Sequence, residues 1–249
     1  MGGIGNQLFQ YAAGLLQQSI YNGCLVLSEP TNRHDNNDYR LNIFAGHYGY
    51  TQSQLPLHIH TLYQEDPQGS WDPREYPYPL LNYYGYFQNI RCLTPVLPKF
   101  KTIILERLQP YKDTMLQRYI VTPTSGFIHV RRGDYLDHPT LFPILTDSYY
   151  AKALTHFPHI TQWYILSEKL EDAHILLNTI PNSRYLDEKD PLHCLALMSS
   201  ISGGAIIANS TFSWMGAYLG IGNTDKVVYP AQWQYKDCTS MFPSEWICI

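Results

Sequence analysis

"GFIHVRRGDYL", residues 126–136, decides the fold. Phe127, Ile128, His129 and Val130 read as a buried strand, and the strand runs without a break into Arg131 and Arg132. Gly133 and Asp134 follow. Two adjacent guanidinium groups at the end of a core strand need a reason in a chain with 17 Lys+Arg among 249 residues.

Downstream, strands and helices alternate. "SYYAKALTHF" (148–157) is a short helix stopped by Pro158, and "QWYILS" (162–167) is a strand. "EKLEDAHILLNTI" (168–180) is amphipathic, with Leu170, Ala173, Leu176 and Leu177 at helical spacing. "SRYLD" is a short strand. "PLHCLALMSSI" (191–201) opens with Pro at a permitted first-turn position. "GAIIAN" (204–209) is a strand, "STFSWMGAYLG" (210–220) a helix with hydroxyl residues at its start and Gly at its end, and "KVVYP" a last strand. This alternation predicts a parallel α/β sheet.

The upstream half is less regular. "NQLFQYAAGLLQQSIY" (6–21) predicts a helix with Leu8, Phe9, Ala12, Ala13 and Leu16 on one side, and "CLVLS" (24–28) a strand. Residues 29–100 are rich in Tyr, Pro, Asn and His; "NYYGYF" (82–87) has strand character. "KTIILERLQPYKD" (101–113) starts a helix that Pro110 is expected to bend or end. The chain divides most naturally around "VTPTSG". That gives an N-terminal domain over 1–120, a second domain over 121–235 and a C-terminal tail over 236–249.

Composition excludes several function classes. Hydrophobic residues make up 45% and charged residues 15%, which is globular rather than disordered. Net charge is −4 with pI near 6.2, so no general basic field exists to hold a nucleic acid. A local basic spot in an acidic protein suits a small anion. The 21 tyrosines are compatible with sugar or base pockets, and equally with ordinary core and surface packing. Five cysteines, an odd number with no C-x-x-C, fit reduced thiols in a cytoplasmic protein. No run of apolar residues is long enough to span a membrane and the start is not a signal peptide, so a soluble chain without a membrane anchor is expected.

In a parallel sheet, ligands sit beyond the carboxyl ends of the strands. The Arg pair occupies one such end, and "NSTFS" (209–213) another, where a helix begins. "GGIGNQ" (2–7) opens the first helix. Helix starts offer unpaired N–H groups, glycines admit close approach, and guanidinium groups hold phosphate oxygens in pairs. Each loop alone has an ordinary explanation: a tight turn, a helix cap at Ser210, or an ion pair between the arginines and Asp134. Together they match a diphosphate. The Arg-Gly-Asp tripeptide is not read as an adhesion signal, because the chain shows no secretory leader. There is no G-x-x-x-x-G-K-[ST] and no Asp-x-Asp, and His58 and His60 lack the neighbours a metal site needs.

"GGIGNQLFQYAAG", "HVRRGDYL" and "IIANSTFSWMGAYL", in this order, resemble the α-1,2-fucosyltransferase family, with lesser support from "YYGYFQN" and "LALMSS". The resemblance runs from Gly2 to about Trp233. It implies two Rossmann-like domains facing across a cleft, the GT-B arrangement of glycosyltransferases. It also implies GDP-fucose as donor, transfer with inversion to an oligosaccharide acceptor (α-1,2 to galactose), and no required metal or other cofactor. The H-x-R-R-x-D motif falls on His129, Arg131, Arg132 and Asp134. Arg131 and Arg132 are then the catalytic pair, with Arg131 on the β-phosphate. Gly3, Gly5, Asn6, Gln7, His129, Asp134, Asn209, Ser210, Thr211 and Ser213 complete the donor set, Asn6 facing the diphosphate from the other domain. Relatives carry a short strand before the glycine loop, so the N-terminal sheet is expected to lack its first strand. Cys194 stands where relatives often carry an Asp suited to guanine, and Met215 replaces a Trp. Another GDP-linked deoxysugar, or an inactive nucleotide- or glycan-binding module, are the alternatives. Asp35, Asp38, Glu65, Asp66 and Glu75 are all candidates for the base that takes the acceptor proton.

Overall fold

The computed structural model describes residues 2–21, 44, 62–64, 82–177, 180–234 and 239–249. They fall into two units, Met1–Arg107 and Leu108–Ile249. The expected strand at 24–28 and the His58/His60 pair lie outside the described residues.

In the first unit, helix α1 (Ile4–Tyr21) buries Leu8, Phe9, Tyr11, Ala12 and Leu15. Strand β1 (Leu62–Gln64) pairs in parallel with β2 (Asn82–Tyr84). The short helix α2 (Ile90–Leu93) is capped by Asn89, whose side chain accepts from the N–H of Arg91 at 3.1 Å. Helix α3 (Leu97–Arg118) leads into the second unit and passes through Pro110 rather than ending there. Pro110 removes one helical hydrogen bond. Leu108 and Met115 on either side of it are fully buried, and their burial carries the helix across the gap.

The second unit is a six-stranded, wholly parallel sheet in the order β5-β4-β3-β6-β7-β8. The strands are β3 (Ser125–Val130), β4 (Gln162–Ser167), β5 (Ser183–Tyr185), β6 (Gly204–Ile206), β7 (Val227–Tyr229) and β8 (Ile247–Cys248). Helices α4 (Asp147–Leu154), α5 (Leu170–Leu177), α6 (Pro191–Met198) and α7 (Thr211–Gly220) connect them. The strand and helix alternation read from the sequence is present; β4 keeps its expected bounds, β3 and α4 begin one residue earlier, and several elements are shorter by one to five residues. The trimming at α5 has consequences: the helix starts at Leu170, so Glu168 and Lys169 belong to the loop at the end of β4.

Strand β3 is buried along its whole length, as a central parallel strand covered on both faces must be. Ile128 and Val130 pack with Tyr150 and Ala153 of α4 and Ala173 of α5. On the other face the His129 ring meets Phe212 of α7 edge-on at 5.8 Å. The segment expected as a tail after residue 235 supplies the edge strand β8. Two tryptophans hold it there: Trp214 Nε1 donates to the Met241 carbonyl at 3.0 Å, and Trp246 Nε1 to the Gly222 carbonyl at 2.8 Å.

Helix α7 must lie close to α6. A Cβ on Gly220 would sit 2.6 Å from the Ile201 carbonyl oxygen and 2.7 Å from that of Met198, both backbone atoms that cannot swing aside. Gly220→Ala is therefore expected to destabilise the protein by about 1–3 kcal/mol, the usual scale of overpacking. A lowered urea midpoint with unchanged slope is the expected result; an unchanged midpoint would show that the two helices can separate freely.

Candidate functional site

The order β5-β4-β3-β6-β7-β8 reverses between β3 and β6. The chain leaves β3 toward β4 and β5, and leaves β6 toward β7 and β8. The carboxyl ends of two such neighbouring strands are the usual ligand position in open α/β sheets. The two sequence motifs occupy these two loops: Arg131 to Asp137 after β3, and Ile207 to Ser210 after β6.

Alternation along β3 separates the two arginines. Arg132 continues the face of Ile128 and Val130, and its Nε lies 3.4 Å from Asp172 Oδ1 on α5. Arg131 continues the face of His129, toward the start of α7. Its Nη1 donates to Glu168 Oε2 at 2.8 Å and its Nη2 to Asp134 Oδ1 at 2.5 Å. Gly133 makes the first of these contacts possible: it has φ +23°, and a Cβ there would lie 2.2 Å from Glu168 Oε2. Asp134 is thus an ion-pair partner of Arg131 from the same turn.

A residue the sequence did not single out joins the two loops. Tyr135 lies in the 3-10 turn Gly133–Asp137, stacked on Phe142 at 4.1 Å, with the Arg131 guanidinium 5.2 Å from its ring centre. Its hydroxyl donates to the Asn209 carbonyl at 2.8 Å. Burial raises its pKa to about 12, so it remains a donor at neutral pH. Asn209 returns the tie: its Nδ2 donates to the Pro143 carbonyl at 2.9 Å and the Trp233 carbonyl at 3.2 Å. The loops after β3, β6 and β7 thereby meet on one buried amide.

The remaining expected residues separate by exposure. Ser210 caps α7, its hydroxyl accepting from the Phe212 N–H at 3.4 Å. Ser213 is fully buried and donates to the carbonyls of Ser210 at 3.1 Å and Ala208 at 3.3 Å. Thr211, the first residue of the helix, is partly exposed. His129 is buried, and burial together with the Arg131 charge holds its pKa down to about 3. Its ring is a neutral wall of the site at physiological pH.

In the first unit, Gly2 (φ +70°) turns the backbone into α1, where a Cβ would meet Asn6 Nδ2 at 2.3 Å. Gly3 has open space beside it. The Asn6 Oδ1 accepts from Gln88 Nε2 at 2.9 Å, and Gln7 Nε2 donates to the Gly2 carbonyl at 3.1 Å; Gly5 is buried. The candidate bases Asp35, Asp38, Glu65, Asp66 and Glu75 lie outside the described residues.

Cys194 on α6 is a thiol whose pKa burial pushes up to about 12, donating to the Glu188 carbonyl at 3.6 Å. It is an inert neighbour of the loop after β5 rather than a charge. Asp190 caps α6 through the Leu192 N–H at 2.8 Å. Among the described residues, no three His, Cys, Asp or Glu side chains group as a metal ion would require, and no helix is long and apolar enough to cross a membrane.

The glycosyl transferase family 11 profile matches residues 47–249. The chain is 26% identical to the O-antigen biosynthesis glycosyltransferase WbnK of Escherichia coli, over 93% of this chain and 92% of that protein. It is 24% identical to an alpha-1,2-colitosyltransferase of Escherichia coli, over 100% of this chain and 96% of that protein. No solved structure matches.

Tyr135→Phe removes one hydroxyl and leaves the Asn209 carbonyl without that donor. The expected loss is about 1–3 kcal/mol of stability, the cost of an unsatisfied buried acceptor. Urea denaturation measures it. A variant as stable as the parent would mean that the two loops hold their positions independently.

Proposed function

The chain belongs to glycosyl transferase family 11, and from that premise we propose that it transfers fucose from GDP-fucose, with inversion, to a hydroxyl of an acceptor glycan, forming an α-1,2 linkage to galactose. The observation that carries this is the position of Arg131: at the strand crossover, directly after the fully buried strand β3 and on the face of His129, whose ring meets Phe212 of α7. When GDP leaves the sugar, negative charge develops on the β-phosphate. Donors fixed in advance stabilise that charge more than flexible ones, because they need not reorganise during the reaction. In the proposed roles Arg131 takes the β-phosphate. Thr211 and the positive end of the α7 dipole lie beside it in this proposal. Arg132, tied to Asp172, fixes the loop. Asn209, Ser210 and Ser213 shape the backbone that the phosphates approach, and His129 supplies a neutral wall.

The glycine loop with Gly3, Gly5, Asn6 and Gln7 is part of the donor proposal, and the rest of the first unit is assigned to the acceptor. The same proposal has no metal in the reaction, since fixed cationic and backbone donors fill the role of a Lewis acid toward the leaving group. Among the described residues Cys194 and Cys248 are free thiols, which supports the proposed cytoplasmic setting. A second donor is supported by the relative named for colitosyl transfer: another deoxysugar carried on the same GDP leaving group.

Mass spectrometry of products after incubation with GDP-fucose, other GDP-deoxysugars and a panel of galactose-terminated acceptors tests the donor. Gain of one fucose is the expected result. Transfer of a different GDP-sugar would select the second donor. GDP binding without transfer or donor hydrolysis would favour a binding module, and preference for UDP or ADP would overturn the proposal. Arg131→Ala is expected to lower turnover about 100-fold or more, and Arg131→Lys to restore little, because a point charge lacks the paired donors. Near-normal turnover in folded Arg131→Ala would remove Arg131 from the mechanism.

Activity is expected to persist in excess EDTA. Loss of activity restored by Mg²⁺ or Mn²⁺ would show that a metal shares the leaving-group charge.

A further inference from the structure

We propose that Glu168 is a built-in competitor for the phosphate seat on Arg131, holding Nη1 while the site is empty and giving it up when the donor binds. The inference rests on the donor assignment above, since it concerns the same guanidinium.

Both terminal nitrogens of Arg131 carry a carboxylate: Nη1 is 2.8 Å from Glu168 Oε2, and Nη2 is 2.5 Å from Asp134 Oδ1. A guanidinium binds a phosphate through paired N–H groups, and a phosphate oxygen and a carboxylate oxygen make the same kind of contact. Each terminal nitrogen has two N–H groups and a carboxylate takes one of them, so the diphosphate and the two carboxylates compete for these nitrogens and for the same charge. Exposure decides whether exchange is feasible. The Glu168 side chain is 52% exposed and that of Asp134 61%, against 28% for Arg131. The cation is anchored and its partners face water. Exposed ion pairs are weak, so releasing one costs little, and the freed carboxylate is rehydrated at once. A diphosphate brings more charge than either carboxylate and can take the seat.

Glu168 is the more consequential of the two partners. Asp134 lies three residues from Arg131 in the same turn and stays close in any state. Glu168 comes from the neighbouring strand, at the end of β4, and reaches Arg131 over Gly133, where no Cβ would fit. It can swing into solvent without disturbing the 3-10 turn. After transfer the same carboxylate is available to take Nη1 back and expel GDP.

Isothermal titration of GDP into the unaltered protein, Glu168→Gln and Glu171→Gln tests this, with thermal midpoints recorded for all three. Glu171 is an exposed carboxylate on α5 and serves as a control for total charge. The expected result is GDP binding about two- to fivefold tighter in Glu168→Gln, the scale of an exposed ion pair, and unchanged in Glu171→Gln. Inorganic pyrophosphate, used as a second probe, is expected to show the same gain. Weaker or equal binding in folded Glu168→Gln overturns the proposal and makes Glu168 an anchor for Arg131. Equal gains in both variants overturn it in favour of general charge. An unaltered protein that binds neither GDP nor pyrophosphate defeats the donor assignment itself, and this inference with it.

Discussion

The parallel pairing of β3 with β4 on one edge and β6 on the other is the constraint on which the site depends. Both edges of β3 are used, so its backbone is fixed from Ser125 to Val130, and both faces are covered, so its side chains are fixed too. Whatever follows Val130 leaves from a rigid point. Arg131 is therefore aimed by the sheet rather than by a loop. The same pairing with β6 sets the start of α7 beside it. A guanidinium and a helix N-terminus are thus brought together by one strand pair, and Tyr135 locks the loops that carry them.

That arrangement explains how an acidic chain can address an anionic ligand. With a net charge of −4, the protein has no long-range field to draw a nucleotide sugar in. Attraction has to be local, and a local cation in an acidic protein will recruit the nearest carboxylates unless they are kept away. Here they are not kept away: Asp134 and Glu168 pair with Arg131, and Asp172 lies against Arg132. What the fold controls is their exposure. Asp172 is largely shielded and fixes Arg132 to α5, whereas the partners of Arg131 face solvent. The two arginines are neighbours in sequence, yet they differ in how far their partners are exposed.

The parallel sheet was legible because strands and helices alternate with clear periodicity from residue 125 onward, and Arg131 was legible because charge at the end of an apolar strand is anomalous. Tyr135 was hidden among 21 tyrosines, and only its bond to the carbonyl of Asn209, 74 residues away, distinguishes it. Glu168 was read as the first residue of an amphipathic helix; the helix starts at Leu170, and those two residues of slack turn Glu168 toward Arg131. Pro110 does not end its helix, since burial of Leu108 and Met115 outweighs one lost backbone bond. Strand β8 has two residues and no periodicity to detect; it is held by Trp214 and Trp246, which a linear pattern cannot connect to it. In each case a contact distant in sequence decided the matter.

Some buried polar atoms without a hydrogen-bond partner fall in the same region. Among the described residues these include His129 Nδ1, Ser167 Oγ and Asn209 Oδ1, while others, such as Gln7 Oε1 and both polar atoms of the Gln17 amide, lie in α1. His129 and Ser167 stand at the carboxyl ends of β3 and β4, and Asn209 follows β6. Each buried unsatisfied polar atom costs stability, and native folds tolerate few of them. A region optimised for stability alone would replace such groups with apolar ones or supply partners. The residues here instead keep polar atoms in a dry setting next to a cation, where low dielectric strengthens electrostatic interactions.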